Sequence, residues 1–314
     1  MHMADAVLVP GVAGVMYACS AVAAGRSVRK LNQQPDDKAV PVMGVMGAFV
    51  FAAQMINFSI PGTGSSGHLV GGILLSAILG PWAALITLAS VLVIQCLAFA
   101  DGGFMALGAN ILNMAVFSCL VAYPLIFKPL MKPDASPGRI LAASVLASVA
   151  GLELGALAVT VETEASGITA LPMGQFLLFM LPIHLFIGIG EGLATAAVIY
   201  VVQRYKPELL SGVRRRKPAG KRKFGKALAA IALAALLIAS SDPDGLEWSI
   251  AKVAGPAGPE AEPDGLHRTA AAVQEKTAVM PDYNTSFAGI VGCGAILLVV
   301  FGASRLFRAG QKQG

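Results

Sequence analysis

The sequence predicts an all-α protein, a polytopic bundle of membrane-spanning helices. Three observations carry that reading. Of 314 residues, 56% are hydrophobic and only 13% charged, about half the charged share of a soluble domain. Apolar runs recur from end to end, most of them near the roughly 20 residues that cross a ~30 Å hydrocarbon core. The 35 glycines, with many alanines, supply the small residues that let spanning helices pack closely. Cys19, Cys96, Cys119 and Cys293 lie scattered in apolar runs with no CxxC pair, so all four read as small buried hydrophobes.

The elements follow in order. The first apolar segment, 6–25, has no Lys or Arg before it and is followed by Arg26, Arg29 and Lys30. A signal peptide carries its positive charges ahead of its apolar core. The segment therefore reads as a retained first span, although Ala21-Val22-Ala23 offers a small-x-small cleavage site. A polar turn, 31–38, leads to a second span at 40–57 and a glycine-rich loop at 61–67. The next apolar run, 68–80, makes only about 20 Å of helix and ends at Gly80-Pro81. Spans follow at 82–100, 104–127, 139–160 and 173–203. Between them lie the turn Asp101-Gly102-Gly103 and a loop, 161–172, carrying Glu162 and Glu164. The loop 204–226 holds ten Lys and Arg residues against one acid, Glu208. An eighth run covers 227–240. The stretch 241–284 is rich in Pro and Gly and has eight Asp and Glu against three Lys and Arg. The last span is 285–304.

Charge orders these spans across the membrane. With the N-terminus outside and nine crossings, the inside segments 26–38, 128–139, 204–226 and the C-terminal tail hold 4, 3, 10 and 3 basic residues, 20 of the 23. That is the positive-inside pattern, and it requires the short run at 68–80 to cross. The expected organisation is a seven-span core over 1–212 and a basic cytoplasmic linker over 213–226. A two-span accessory portion over 227–314 follows, with 241–284 outside. The expected location is the plasma or inner membrane of a prokaryote. The basic cluster from Arg214 to Lys223 has no interleaved aromatic platform, which argues against nucleic-acid binding.

One constellation carries chemistry. In Met1-His2, the terminal amine, the His2 backbone nitrogen and the His2 imidazole can close two small chelate rings on one metal ion. A second imidazole can fill the fourth corner, and His68 follows a flexible loop on the same side of the membrane. Four nitrogens in a plane suit Ni²⁺ or Cu²⁺. The competing reading, at this point, is an exposed His2 in a tail and a His68 bonded to a carbonyl at a helix start.

The start Met1-His2-Met3-Ala4-Asp5 and the run from Met46 to Phe58 resemble one family. So do Pro61-Gly62-Thr63-Gly64-Ser65-Ser66-Gly67-His68-Leu69 and Ala100-Asp101-Gly102-Gly103. The family is the nickel/cobalt substrate-binding (S) component of energy-coupling factor (ECF) transporters, of the CbiM/NikM type, and the resemblance spans about 1–210. The last stretch, ending Pro281-Asp282-Tyr283, resembles the small accessory subunit that nickel members carry fused. The resemblance implies metal held by the Met1 amine, the His2 backbone nitrogen, the His2 imidazole and His68. It implies Ni²⁺ as the transported substrate, with Co²⁺ destined for cobalamin synthesis as the alternative. The implied partners are a transmembrane coupling (T) subunit and cytoplasmic ATPases. The chain itself has no GxxxxGK[ST] loop to energise transport.

Other polar residues have two readings each. Gln54 and Asn57, three apart at the outer end of the second span, either orient a ligating imidazole or bond neighbouring helices. Asp101 either seats the N-terminal segment or makes a turn. His184 and Glu191 share one face of the seventh span, and ionisable groups in a membrane point to function. They serve either as a relay or contact to the coupling subunit, or as a lock for the bundle. Gly11, Gly14, Ala18 and Ala21 form either a docking face for the coupling subunit or a packing face within the chain's own bundle. An intramembrane enzyme built on His184 and Glu191 lacks a nucleophile or an HExxH pair. A stand-alone metal receptor is the remaining class.

Overall fold

The structure, a computed structural model, describes residues 1–33, 39–132, 135–210, 240–259, 265–281, 291–296 and 298. The expected linker 213–226, nearly all of the eighth span and most of the ninth lie outside those residues. Five described helices are long and apolar enough to cross a membrane: α1 (Pro10–Gln33), α4 (Pro81–Phe99), α5 (Leu107–Leu130), α6 (Pro137–Ala165) and α7 (Met173–Tyr205). Helix α2 (Ala39–Gln54) is shorter and apolar, and α3 (Gly72–Leu79) has eight residues.

The first helix begins later than its apolar run. Pro10 opens α1, where its missing N–H costs nothing, and the helix runs on to Gln33. Residues 1–9 do not join it. They thread into the bundle, with Met3 fully buried and Met1 only 5% exposed. Asn110 holds this segment from both sides: the Met3 N–H donates to its Oδ1 at 2.7 Å, and its Nδ2 donates to the Met3 carbonyl at 3.2 Å. The Gly103 N–H adds a bond to the same carbonyl at 2.8 Å. Only glycine fits there, because a Cβ on Gly103 would lie 1.9 Å from Asp5 Oδ1. Ala13, Ser20 and Ser27 of α1 are buried, Val12, Met16, Ala23, Ala24 and Leu31 pack half-buried against the core, and much of the rest of the helix is exposed. Cys19 is exposed on it, against the expectation that all four cysteines are buried.

Between α2 and α3 the glycine-rich loop makes a small hairpin, β1 (Phe58–Ile60) antiparallel to β2 (Ser65–Gly67), with Ser59 opposite Ser66. This is a departure from an all-helical chain. Helix α3 is about 12 Å long and nearly all buried in protein. Gly80 and Pro81 turn it directly into α4. Helices α6 and α7 form the backbone of the bundle, and small residues set their approach. A Cβ on Gly192 would lie 2.4 Å from Val145 Cα, and one on Gly188 would lie 2.8 Å from Val149 Cα. Helix α5 winds more widely over Ile111–Phe127, with Pro124 inside it.

The stretch 241–284, expected as an acidic loop, folds in its described part as two helices, α8 (Gly245–Ala254) and α9 (Gly265–Thr277). Asp244 and Glu247 form a capping box at the start of α8, a sequence signature of a helix start. Both helices dock on the end of the bundle that holds the N-terminus. The Ser66 N–H donates to the Pro243 carbonyl at 2.8 Å, and Trp248 Nε1 donates to the Thr63 carbonyl at 3.0 Å. His267 bonds through Nε2 to the Leu8 carbonyl at 3.0 Å, and Gln274 donates to the Gly102 carbonyl at 2.7 Å. The accessory part thereby covers the threaded N-terminus.

Candidate metal centre

Among the described residues, no three His, Cys, Asp or Glu side chains converge as a metal-holding cluster. The site that forms is different in kind, since its centre is the terminal amine. The Met1 nitrogen lies 2.9 Å from His68 Nε2 and 2.7 Å from Asp244 Oδ2. The His2 ring stacks on the His68 ring, with centroids 5.2 Å apart and planes 21° apart. Met1-His2 and His68, far apart in sequence, are therefore brought together.

Each element positions one group. The β-hairpin delivers His68 beside the threaded N-terminus, 7% exposed. Its Nδ1 lies 3.1 Å from the Leu69 carbonyl. A carbonyl only accepts, so Nδ1 carries the proton and the Nε2 lone pair faces the amine. Burial first, then the charge on the amine and His2, lower the His68 imidazole to about 3. Burial also lowers His2, against the opposing pull of Asp101. Burial thus favours the neutral form of both rings, the state in which imidazole ligates metals. Burial pushes the Asp244 carboxyl up. The amine and His68, with hydrogen bonds to it, outweigh burial and hold the carboxyl well below the usual range.

The expected neighbours separate into those that reach the site and those that do not. Asp101 Oδ1 lies 3.2 Å from His2 Nδ1. The turn it sits in also bonds the N-terminal segment, through the Gly103 N–H and the Met3 carbonyl. Gln54 touches neither histidine. It donates to the Val70 carbonyl at 2.9 Å and accepts from Gln95 at 2.8 Å. Gln95 Oε1 in turn lies 3.2 Å from His2 Nε2. The Asn57 backbone carbonyl accepts from the Ser240 N–H at 2.8 Å, and its residue lines the cavity over the site. Glu191, fully buried, accepts from the Val70 and Gly71 N–H groups at 2.9 and 3.1 Å. It pins the chain two residues past His68. His184 bonds to the Met180 carbonyl at 2.8 Å and lies against Gly245. A cavity of about 580 Å³ sits over the site, lined by His2, Gln54, His68, Asp101, Asp244 and Glu247 among others.

Three residues of the site escape a reading of the sequence. Asp244 sits in a stretch whose net acidity reads as solvated loop, although Asp244-x-x-Glu247 is a helix-start signature. Gln95 and Asn110 are lone amides in apolar runs, and only their placement shows what they hold.

A bundle of apolar spans closing around a buried cluster of nitrogen donors at one end is the build of a multi-pass membrane protein that takes up a small ionic solute. The chain belongs to the CbiM family, the cobalt uptake substrate-specific transmembrane region, whose profile matches residues 2–209. A second profile, the PDGLE domain, matches 223–309, and Pro243-Asp244-Gly245-Leu246-Glu247 spells its name. A relative in Archaeoglobus fulgidus, described as a putative fused nickel transport protein NikMN, is 32% identical over 98% of this chain and 99% of its own. In Rhodobacter capsulatus the fused nickel transport protein NikMN is 33% identical over 97% of this chain and 94% of its own. A crystal structure of a truncated transition metal transporter superposes with a TM-score of 0.56 at 32% identity. It covers 64% of this chain and 98% of that one.

Proposed function

We propose that this chain is the metal-capturing membrane subunit of an ATP-driven, ECF-type nickel uptake transporter. It takes Ni²⁺ from the outside through the Met1 amine, the His2 backbone nitrogen, the His2 imidazole and the His68 imidazole. The observation that carries this reading is the 2.9 Å between the Met1 nitrogen and His68 Nε2. Metal–nitrogen bonds of about 2.0 Å put adjacent corners of a square about 2.8 Å apart. The amine and His68 already stand at that spacing, with the His68 lone pair turned inward. A four-nitrogen plane favours a d⁸ ion. The fused nickel transport relatives and the PDGLE match favour nickel, and the family description keeps cobalt as the alternative.

The metal is cargo. Binding takes a proton from the amine and another from the His2 amide, and it displaces the ion pair to Asp244. Energy comes from partners, a coupling subunit and cytoplasmic ATPases. The exposed face of α1 supports docking of the coupling subunit over packing within the chain's own bundle. Gly11, Gly14, Ala18 and Ala21 all lie exposed, and among the described residues nothing from another element lies within 4 Å of a Cβ built at Gly11 or Gly14.

The test is metal content by elemental analysis of the intact protein, beside His2→Ala, His68→Ala and a variant extended by a few residues before Met1. Near-stoichiometric nickel is expected only in the parent chain. An extended chain that keeps its nickel sinks the site, because an extension turns the primary amine into an amide.

A further inference from the structure

Which His2 nitrogen faces the metal follows from a chain of hydrogen bonds anchored on a backbone carbonyl. The Val70 carbonyl can only accept. Gln54 therefore presents its NH₂ to it at 2.9 Å, which turns Gln54 Oε1 toward Gln95. Gln95 must then present its own NH₂ to Gln54, at 2.8 Å, and its Oε1 to His2. That oxygen also only accepts, so it draws the ring proton to His2 Nε2, 3.2 Å away, in competition with Asp101 Oδ1, which stands at the same distance from Nδ1. Amide orientation and histidine tautomer are fixed by such networks rather than by the ring itself.

We propose that Gln54 and Gln95 are positioning residues that hold His2 as its Nε2–H tautomer and so offer Nδ1 to the metal. This rests on the metal site proposed above. With the amine and the His2 backbone nitrogen bound, closure through Nδ1 makes a six-membered ring of metal, nitrogen, Cα, Cβ, Cγ and Nδ1. Nε2 lies on the far side of the ring and cannot close it. The relay selects the one nitrogen that chelates. His68 is fixed in the opposite tautomer by the Leu69 carbonyl, so the site offers Nδ1 of one ring and Nε2 of the other. Asp101 Oδ1, 3.2 Å from His2 Nδ1, is the opposing acceptor against which the relay sets the tautomer. The far end of the relay is held as well, because the Val70 N–H is bonded to Glu191. The peptide two residues past His68 and the His2 ring are thus one connected structure. Outer partners of this type orient ligating histidines generally.

The test uses the full-length protein in detergent, with ¹⁵N-labelled histidine and no metal, then a Ni²⁺ titration. His2 is assigned by loss of its signals in His2→Ala. The parent chain is expected to show His2 protonated at Nε2. In Gln95→Leu the acceptor left at the ring among the described residues is Asp101, so the tautomer reverses to Nδ1–H. Gln95→Glu keeps an acceptor at Nε2 and is expected to retain the parent tautomer, a rescue that a packing role would not give. Gln54→Met, which touches neither histidine, is expected to mix the tautomers. Both Gln95→Leu and Gln54→Met should weaken Ni²⁺ binding about 10–100-fold. An Nδ1–H tautomer in the parent chain overturns the proposal, as does a Gln54→Met protein with parent tautomer and affinity. The tautomer is read without metal. Survival of nickel binding in the N-terminally extended chain therefore refutes the metal site and leaves the tautomer result to judge the relay separately.

Discussion

Asp244 uses its two oxygens for two tasks. Oδ1 accepts from the Leu246 and Glu247 N–H groups at 2.8 and 2.9 Å, which starts α8. Oδ2 holds the Met1 amine. Replacing Asp244 with Ala should cost about 1 kcal/mol of local stability as a lost cap. It should show as faster hydrogen exchange at the Leu246 and Glu247 amides. The same variant should also speed acylation of the Met1 amine by a small reagent, since its buried ion-pair partner is gone. His68 gives a pH prediction. Its folded value, about 3, lies below the unfolded value of about 6.5. As pH falls below about 6.5, the unfolded chain takes up a proton that the folded chain refuses. Stability is therefore lost progressively from about pH 6.5 downward. The thermal midpoint of the metal-free protein should fall less steeply between pH 7 and 5 in His68→Ala than in the parent chain.

At the scale of elements, close approach depends on glycines where backbones nearly touch. Gly192 lets α7 lie against Val145 of α6, with 2.4 Å between a built Cβ and the Val145 Cα. Backbone cannot yield as a side-chain tip can, so Gly192→Ala should destabilise by about 1–3 kcal/mol, read as a lowered thermal midpoint in detergent. The apolar runs gave α4 to α7 within a few residues, because hydropathy alone measures fit to a bilayer. They misplaced the start of α1. Residues 6–9 are as apolar as a span, but they belong to a strap outside α1 that makes one 3-10 turn at Asp5–Val7 and is tied to Asn110 and Gly103 through Met3 and to Ser166 through Val9. Apolarity reports burial and is silent on whether the buried chain is helical. The same limit hid the hairpin at 58–67, which is too short and too rich in Gly and Ser to show a strand pattern.

Across the whole molecule, the described segment after residue 240 completes the end of the core that holds the N-terminus. Pro243, Trp248, His267 and Gln274 each bond backbone of the hairpin, the N-terminal strap or the turn after α4. A chain cut before residue 240 should lose hydrogen-exchange protection at Ser66, whose N–H is bonded to Pro243, while α6 and α7 keep theirs. The sequence by itself determined the class of protein, the principal spans and the candidate grouping of Met1, His2 and His68. Those follow from composition, run length and residue chemistry, which are local. Tertiary structure alone decided that Asp244 meets the amine and that Gln54 acts through Gln95. It alone showed Glu191 pinning the turn after His68, and it alone made a cover of the acidic stretch. Each of those is a contact across tens to hundreds of residues between single polar groups buried in apolar surroundings. No run, period or spacing encodes such a pairing, and only the need of every buried donor and acceptor for a partner reveals it once the chain is folded.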